Sequence, residues 1–254
     1  MQRQIKRYGW IPDLPDRRDH LYAAPTAVLR ALPPGVDLRA QCPPVYDQGQ
    51  LGSCTANAIA GALEFDQIKQ ALAPLFVPSR LFIYYNERAI EGTINSDSGA
   101  MIRDGITTVV NQGACPEDLW PYEIDQFADQ PPDNCYQAAA EHEAIQYQAV
   151  AQDLDQMKGC LAAGTPFVFG FTVYQSFETD QVTQTGVVPL PDPRERALGG
   201  HAVLAVGYDD ATTRFLARNS WGDAWGMAGY FTIPYSYLLQ SSLAADFWAI
   251  QRVH

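Results

Sequence analysis

The run Gln48-Gly49-Gln50-Leu51-Gly52-Ser53-Cys54 delivers a cysteine, through a loop holding two glycines, to the start of a stretch with helical spacing. At a helix N-terminus the unpaired backbone N–H groups and the positive end of the dipole favour a thiolate, which is the nucleophilic form of the side chain. Taken alone, a cysteine is as well explained as a small core residue, so a partner has to decide the matter. In Leu198-Gly199-Gly200-His201-Ala202-Val203-Leu204-Ala205-Val206-Gly207-Tyr208 a histidine opens an otherwise apolar strand, beside glycines that let another backbone approach closely. The other histidines are poorer bases: His20 lies in a polar leader, His142 between two glutamates and His254 at the chain end. A third segment, Ala217-Arg218-Asn219-Ser220-Trp221-Gly222-Asp223-Ala224-Trp225-Gly226, carries an asparagine out of a strand into a turn bracketed by tryptophans. Asparagine is commonly a turn former there. Its amide oxygen can instead accept the imidazole N–H and aim the ring at the sulfur, with Trp221 keeping water off that bond. The chain order Cys, His, Asn favours this second role.

Together these segments resemble the papain and cathepsin family of cysteine peptidases over about residues 35 to 254. His201 lies 147 residues after Cys54, and Asn219 a further 18, close to the family's interval of roughly 130 to 150 residues. The resemblance implies an α+β, two-lobed fold. A helical N-terminal lobe would cover about residues 35–150 and a β-sheet or barrel-like C-terminal lobe about 151–254, with the active site in the cleft between them. It also implies a thiol protease that hydrolyses peptide bonds through a thioester on Cys54. His201 is then the acid and base, Asn219 the orienting amide, and Gln48 the oxyanion-hole side chain beside the backbone N–H of Cys54. Gly52, Ser98, Gly99, Gly200 and Trp221 fall where the family meets its peptide. No cofactor and no metal is implied, and the partner is a peptide or protein substrate. Val36-Asp37-Leu38-Arg39 resembles the family's mature start.

Three positions depart from the family pattern. Leu51 stands where a disulfide-forming cysteine is usual, Thr55 replaces the aromatic after the nucleophile, and Ser98 replaces the first glycine of the cleft pair. Only 34 residues precede Gly35, too few for the long inhibitory prosegment of secreted relatives, so control of activity is expected to differ. Two other readings use the same residues: a catalytically inactive relative that binds peptides or a partner, and an acyltransferase, although those usually orient histidine with aspartate. A metal site is disfavoured because no two cysteines or histidines stand two to four residues apart.

These side chains need elements to position them. Ala58, Ile59, Ala62, Leu63, Phe65 and Ile68 recur at three- and four-residue spacing, which predicts a mostly buried helix starting at Cys54. A second helix is expected after Pro78-Ser79, where serine can cap, and a third over Met101 to Gln112, ending at Gly113. The second half changes to short β-rich runs at Phe167–Val173, His201–Tyr208, Arg214–Arg218 and Tyr230–Ile233, read as strands of one sheet. Residues 1–34 read as an extended, loop-like, Pro-rich leader ending at Pro33-Pro34. Its apolar residues Tyr8, Trp10, Ile11, Leu14 and Leu21 are too many for a freely solvated tail, so part of it should dock along the cleft or on the back of a lobe.

Composition narrows the class. Of 254 residues, 47% are hydrophobic and 18% charged, enough for a real core. A net charge of −12 would repel phosphate backbones and anionic lipid, so neither nucleic acid nor a membrane surface is an expected partner. No apolar run approaches the roughly 20 residues needed to span a bilayer. Met1 to His20 lacks a secretory apolar core, so a cytoplasmic location is expected. Five cysteines leave at least one sulfur without an intramolecular partner, and Cys54 is the choice for it.

Overall fold

The computed structural model describes residues 8–142 and 145–252; the first seven residues of the expected leader and His254 lie outside them. The leader is less loop-like than its prolines suggest. Trp10–Ile11 forms a short strand, β1, and Thr26–Leu29 a single helical turn, α1, started by Pro25, whose φ of −56° is already helical. Gly35–Asp37 then forms β2.

Helix α2 spans Cys54–Lys69, and its residues from Cys54 to Gln67 are all buried, so it is enclosed on every side instead of presenting one apolar stripe. Helix α3 (Arg80–Glu91) begins as its sequence indicates: the Ser79 hydroxyl accepts the Phe82 N–H at 3.1 Å, and Gly92 ends the helix in a left-handed conformation. Strand β3 (Ala100–Met101) leads into α4 (Ile102–Asn111), and Asp133–Ala139 forms α5. β1 and β3 pair in parallel, Trp10 against Ala100 and Ile11 against Met101.

The remaining chain builds a seven-stranded sheet from β2, β4 (Ile145–Ala149), β5 (Phe167–Tyr174), β6 (Ala197–Asp209), β7 (Arg214–Arg218), β8 (Tyr230–Pro234) and β9 (Ala244–Arg252). Helices α6 (Leu154–Ala162), α7 (Asp180–Thr185) and α8 (Tyr235–Leu238) lie between its strands in sequence. The order is β4-β9-β5-β6-β7-β8, every pair is antiparallel, and β2 joins β6. The four expected strands are all present. β4 and β9, the latter with the sequence Ala-Ala-Asp-Phe-Trp-Ala-Ile-Gln-Arg, carry too mixed an alternation to stand out, and they gain their strand character from pairing with each other. In β5 the alternate residues Phe167, Phe169 and Phe171 are fully buried and share one face. Their rings lie 5.9 to 6.1 Å apart, and Phe171 sits opposite His201 in the ladder. The phenylalanine row thus backs the strand that carries the candidate base.

Candidate active site

Cys54 is the first residue of α2 and is fully buried. Its Sγ accepts the Ala202 N–H at 3.4 Å, which fixes the start of the apolar part of β6 against the end of the helix. Next to Ala202, the His201 ring nitrogen Nε2 lies 2.8 Å from Asn219 Oδ1. That oxygen also accepts the Ser220 N–H at 2.9 Å. A backbone donor can meet only the oxygen end of the amide, so the Asn219 orientation is determined. Nε2 must then carry the hydrogen, which makes Nδ1 the acceptor nitrogen of the neutral ring. His201 and Asn219 are thus brought together, and Trp221 covers the pair with its ring 4.9 Å from that of His201. Trp225 and Phe177 hold that indole at 5.0 and 5.4 Å.

Gln48 is buried, and both ends of its amide are held. Nε2 donates to Leu51 O at 2.8 Å, and Oε1 accepts the Ser220 hydroxyl at 2.6 Å. One of the two amide hydrogens is thereby used inside the loop. The Gln48 N–H donates to Ser220 O at 2.9 Å, so the loop before the nucleophile is tied to the residue after Asn219. Asp97, which the sequence did not single out, ties the same loop to the other wall. It accepts the Gly52 N–H at 2.9 Å and the Tyr84 hydroxyl at 2.5 Å, and that hydroxyl accepts the Gly99 N–H at 3.2 Å. A lone aspartate in the polar run Asn95-Ser96-Asp97-Ser98 offers no pattern by which it could be found.

Gly52 and Gly99 face each other across a gap that the leader fills. The Gly9 carbonyl accepts the Ala100 N–H at 2.8 Å, and a Cβ added to Gly9 would lie 1.7 Å from Gly52 O. Only glycine passes through such a gap. Trp10 is buried with its indole against Gly170 and Gly200, and its Nε1–H donates to Asp246 Oδ2 at 3.0 Å. Tyr8 lies against His201 and Trp221, with ring centroids 6.0 and 6.5 Å away. Asp13 continues the contact: its N–H donates to Asp246 at 2.8 Å, and its carboxylate accepts the Trp248 Nε1–H at 2.9 Å and the Arg103 N–H at 3.1 Å. Arg103 also forms an ion pair with Asp19. Of the leader's expected apolar anchors, Trp10 is buried and Tyr8 and Ile11 partly so. Leu14 and Leu21 instead remain exposed, at 69% and 68%, because the hydrogen bonds of their neighbours hold this part of the leader by its backbone and carboxylates.

The sequence leads one to expect an ionised thiol at the helix end. In this covered form the balance is reversed. Burial pushes the Cys54 thiol up to about 12, against the lowering effect of N–H groups from Ala202, Gly9 and Thr55. The Gly9 N–H belongs to the leader, so the leader donates to the sulfur and shuts out water together. All five cysteines, Cys42, Cys54, Cys115, Cys135 and Cys160, are free thiols. No group of three or more His, Cys, Asp or Glu suited to a metal occurs among the described residues.

A buried thiol and a histidine held by an asparagine, in this chain order, are joined by a match of residues 32–245 to the family described as Papain family cysteine protease. The chain belongs to the papain family. It is 41% identical to a peptidase C1-like protein of Acanthamoeba polyphaga mimivirus, over 98% of this chain and 88% of that protein. Xylellain, a cysteine protease from Xylella fastidiosa, superposes with a TM-score of 0.93 at 48% identity, covering 100% of this chain and 99% of that one. Pro-cathepsin H of Bos taurus is 29% identical over 79% of this chain, which spans 59% of its length. The papain-like fold expected from sequence is present, and the chain is a cysteine-type peptidase acting on peptide or protein substrates. No helix among the described residues is long and apolar enough to cross a membrane.

Substituting Asn219→Ala should leave the fold intact and misorient the imidazole. A loss of roughly 10-fold or more in kcat with an unchanged Tm is expected. Full activity in that variant would reduce Asn219 to a turn residue.

Proposed function

We propose that this papain-family peptidase cuts peptide bonds with Cys54 as nucleophile, His201 as acid and base, Asn219 as orienter and Gln48 as an oxyanion donor. The observation that carries the reading is the linked pair of contacts at the head of α2: Ala202 N–H on Cys54 Sγ, and His201 Nε2 on an Asn219 oxygen whose identity Ser220 fixes. In the reaction the thiolate attacks the scissile carbonyl and His201 passes the proton to the leaving amine. Water then hydrolyses the thioester with His201 as base. The Cys54 N–H and the remaining Gln48 amide hydrogen point to the oxyanion that forms at each attack. Gly52, Ser98, Gly99, Gly200 and Trp221 would line the substrate. The charge of −12 favours peptides over nucleic acid or anionic lipid as partners, and five reduced thiols suit a reducing compartment such as the cytoplasm.

The leader, residues 1–34 ahead of the peptidase domain at 35–254, would act as a built-in cover. A substrate must bring a carbonyl carbon to Cys54, whereas the leader brings the Gly9 N–H. It therefore occupies the cleft without offering a bond to cut. Docking also sets the Asp13 carboxyl beside Asp246 of β9, near Arg103 of α4 and the leader's own Asp19 and Asp16. Burial first, and the Asp246 charge second, push Asp13 up to about 7 from an ordinary value near 3.8. The docked leader thus holds a proton that the free leader releases between about pH 4 and 7. Docking is strongest at the acidic end, weakens as pH rises through that window and is level above it.

Cys54→Ala should abolish turnover of a fluorogenic peptide, and retained activity would remove the nucleophile assignment. Gln48→Ala should lower kcat by about 10- to 1000-fold with little change in KM, since its contact forms with the transition state; a rise in KM alone would argue for a binding role. Asp13→Asn removes the proton uptake and should close the leader more firmly at neutral pH. The kcat/KM ratio of wild type to this variant should rise roughly tenfold between pH 5 and 8. A ratio independent of pH would separate Asp13 from any control of the cleft.

A further inference from the structure

Thr55 stands where the family's nucleophile motif carries an aromatic side chain, and behind it lies a buried acid. Glu87, on α3, is fully buried, and its Oε1 accepts the Thr55 hydroxyl at 2.6 Å. Its Oε2 has no hydrogen-bond partner. The neighbouring Arg88 does not neutralise it by contact, because that guanidinium is committed to the carbonyls of Tyr84, Ile94, Ser96 and Phe127. Helix α4 closes the far side with Gly105, where an added Cβ would lie 2.6 Å from Glu87 Oε2 and 2.4 Å from Ile59 Cδ1. Only a glycine lets α4 come this close to the carboxyl. Glu91 of α3 and Asp104 of α4 add negative potential, and Arg88 adds positive. A fully buried carboxyl with one neutral donor and no ion pair keeps its proton, since the charged form has too little to replace its hydration. Burial accordingly holds Glu87 well above the usual carboxylate range.

The partner of this acid has a direct line to the sulfur. The Ala202 N–H donates to Cys54 Sγ at 3.4 Å, and Thr55, the next residue in the first turn of α2, sets its N–H dipole beside the sulfur, as does Gly9 of the leader. Gly9 leaves with the leader, so the open enzyme retains Ala202 and Thr55. We infer that Glu87 is a positioning residue for the nucleophile: through the Thr55 hydroxyl its carboxyl pins the first-turn backbone that follows Cys54. An ionised Glu87 would act the other way, because its charge raises the thiol. The inference rests on Cys54 being the nucleophile, and that reading fails separately, by turnover in Cys54→Ala.

The test compares Glu87→Gln, Glu87→Leu, Thr55→Val and the double variant Thr55→Val/Glu87→Leu in the full chain. The readouts are the acid limb of kcat/KM on a short fluorogenic peptide, the pH dependence of Cys54 alkylation by iodoacetamide, and Tm. The leader's own pH response is shared by all forms and cancels in ratios to wild type. Glutamine keeps the acceptor for Thr55 and removes only the ability to ionise, so its acid limb should match wild type. Glu87→Leu and Thr55→Val should each move the acid limb up by about half a pH unit, a threefold loss of thiolate below it. The double variant should be no worse than the worse single, since the two residues act as one unit. Should Glu87→Leu fail to fold, Thr55→Val carries the comparison with Glu87→Gln. A lower acid limb in Glu87→Gln would show a charged carboxyl and overturn the inference. So would additive shifts in the double variant, or a fall in Tm with the acid limb unmoved.

Discussion

A helix buried on every side can offer chemistry only at its ends, and α2 is such a helix, with fourteen of its sixteen residues out of solvent. Alanines at 56, 58, 60 and 62 and Gly61 keep its surface close, so strand β6 and the Arg218 side chain pack against backbone. At its N-terminus Ser53 makes no side-chain cap. Its hydroxyl turns instead to Tyr122 at 2.5 Å and accepts from Asn57 at 3.0 Å. The first-turn N–H groups that a cap would occupy stay with the cysteine, where they can meet a sulfur or an oxyanion. The remainder of the fold brings histidine, asparagine and glutamine to that terminus, which lies buried beneath the leader.

Buried charges hold the strands to this geometry. Arg218 precedes Asn219 and is 3% exposed; its guanidinium lies 4.5 Å from the Tyr46 ring centroid and donates to Pro44 O. Arg80 stacks on the other aromatic neighbours, 4.7 Å from Tyr46 and 4.1 Å from Tyr122, and pairs with Glu117 at 2.6 Å. Tyr46 in turn donates to Glu64 of α2. A buried cation is costly unless protein groups replace its hydration, and the Pro44 carbonyl with the Tyr46 ring face does so for Arg218 at one seat of the end of β7 relative to α2. That seat places Asn219.

The reactive trio was legible because chemistry confines residue types. A cysteine after Gly52-Ser53, a histidine opening an apolar strand and an asparagine before Ser220-Trp221 are each weak signals, but their order and spacing are hard to meet by accident. Helices α2, α3 and α4 were legible from periodicity and from Ser79. Strand β9 was not, since its alternation is broken by Asp246 in a left-handed conformation at φ 59°, a residue whose role lies in contacts with Trp10 and Asp13. Asp97 and Glu87 were also invisible. Each reaches the nucleophile loop or first turn by a hydrogen bond to a residue far along the chain, 45 positions for Asp97 to Gly52 and 32 for Glu87 to Thr55, and no local pattern records such a contact. Thr55, which replaces the family's aromatic after the nucleophile, makes a polar contact with a buried acid in its place.

As the proposed cover, the leader would be both firm and reversible. Beyond Asp13 the chain is stitched to the body by Tyr22 N–H to Ala149 O at 2.8 Å, Ala149 N–H to His20 O at 2.8 Å and Ala24 N–H to Gln156 at 3.0 Å. With that stretch anchored, residues 8–13 meet the cleft as an intramolecular ligand at an effective concentration on the order of millimolar. A segment of only millimolar intrinsic affinity would then be docked about half the time, so even modest gains or losses at Asp13 and Asp246 move the enzyme between states. Trp10 is the buried apolar side chain of this stretch, while a charged Asp13 carboxyl beside Asp246 would oppose docking. A tighter, wholly apolar plug would hold the cleft closed irrespective of pH; an acid placed beside an acid makes the closed state depend on a proton.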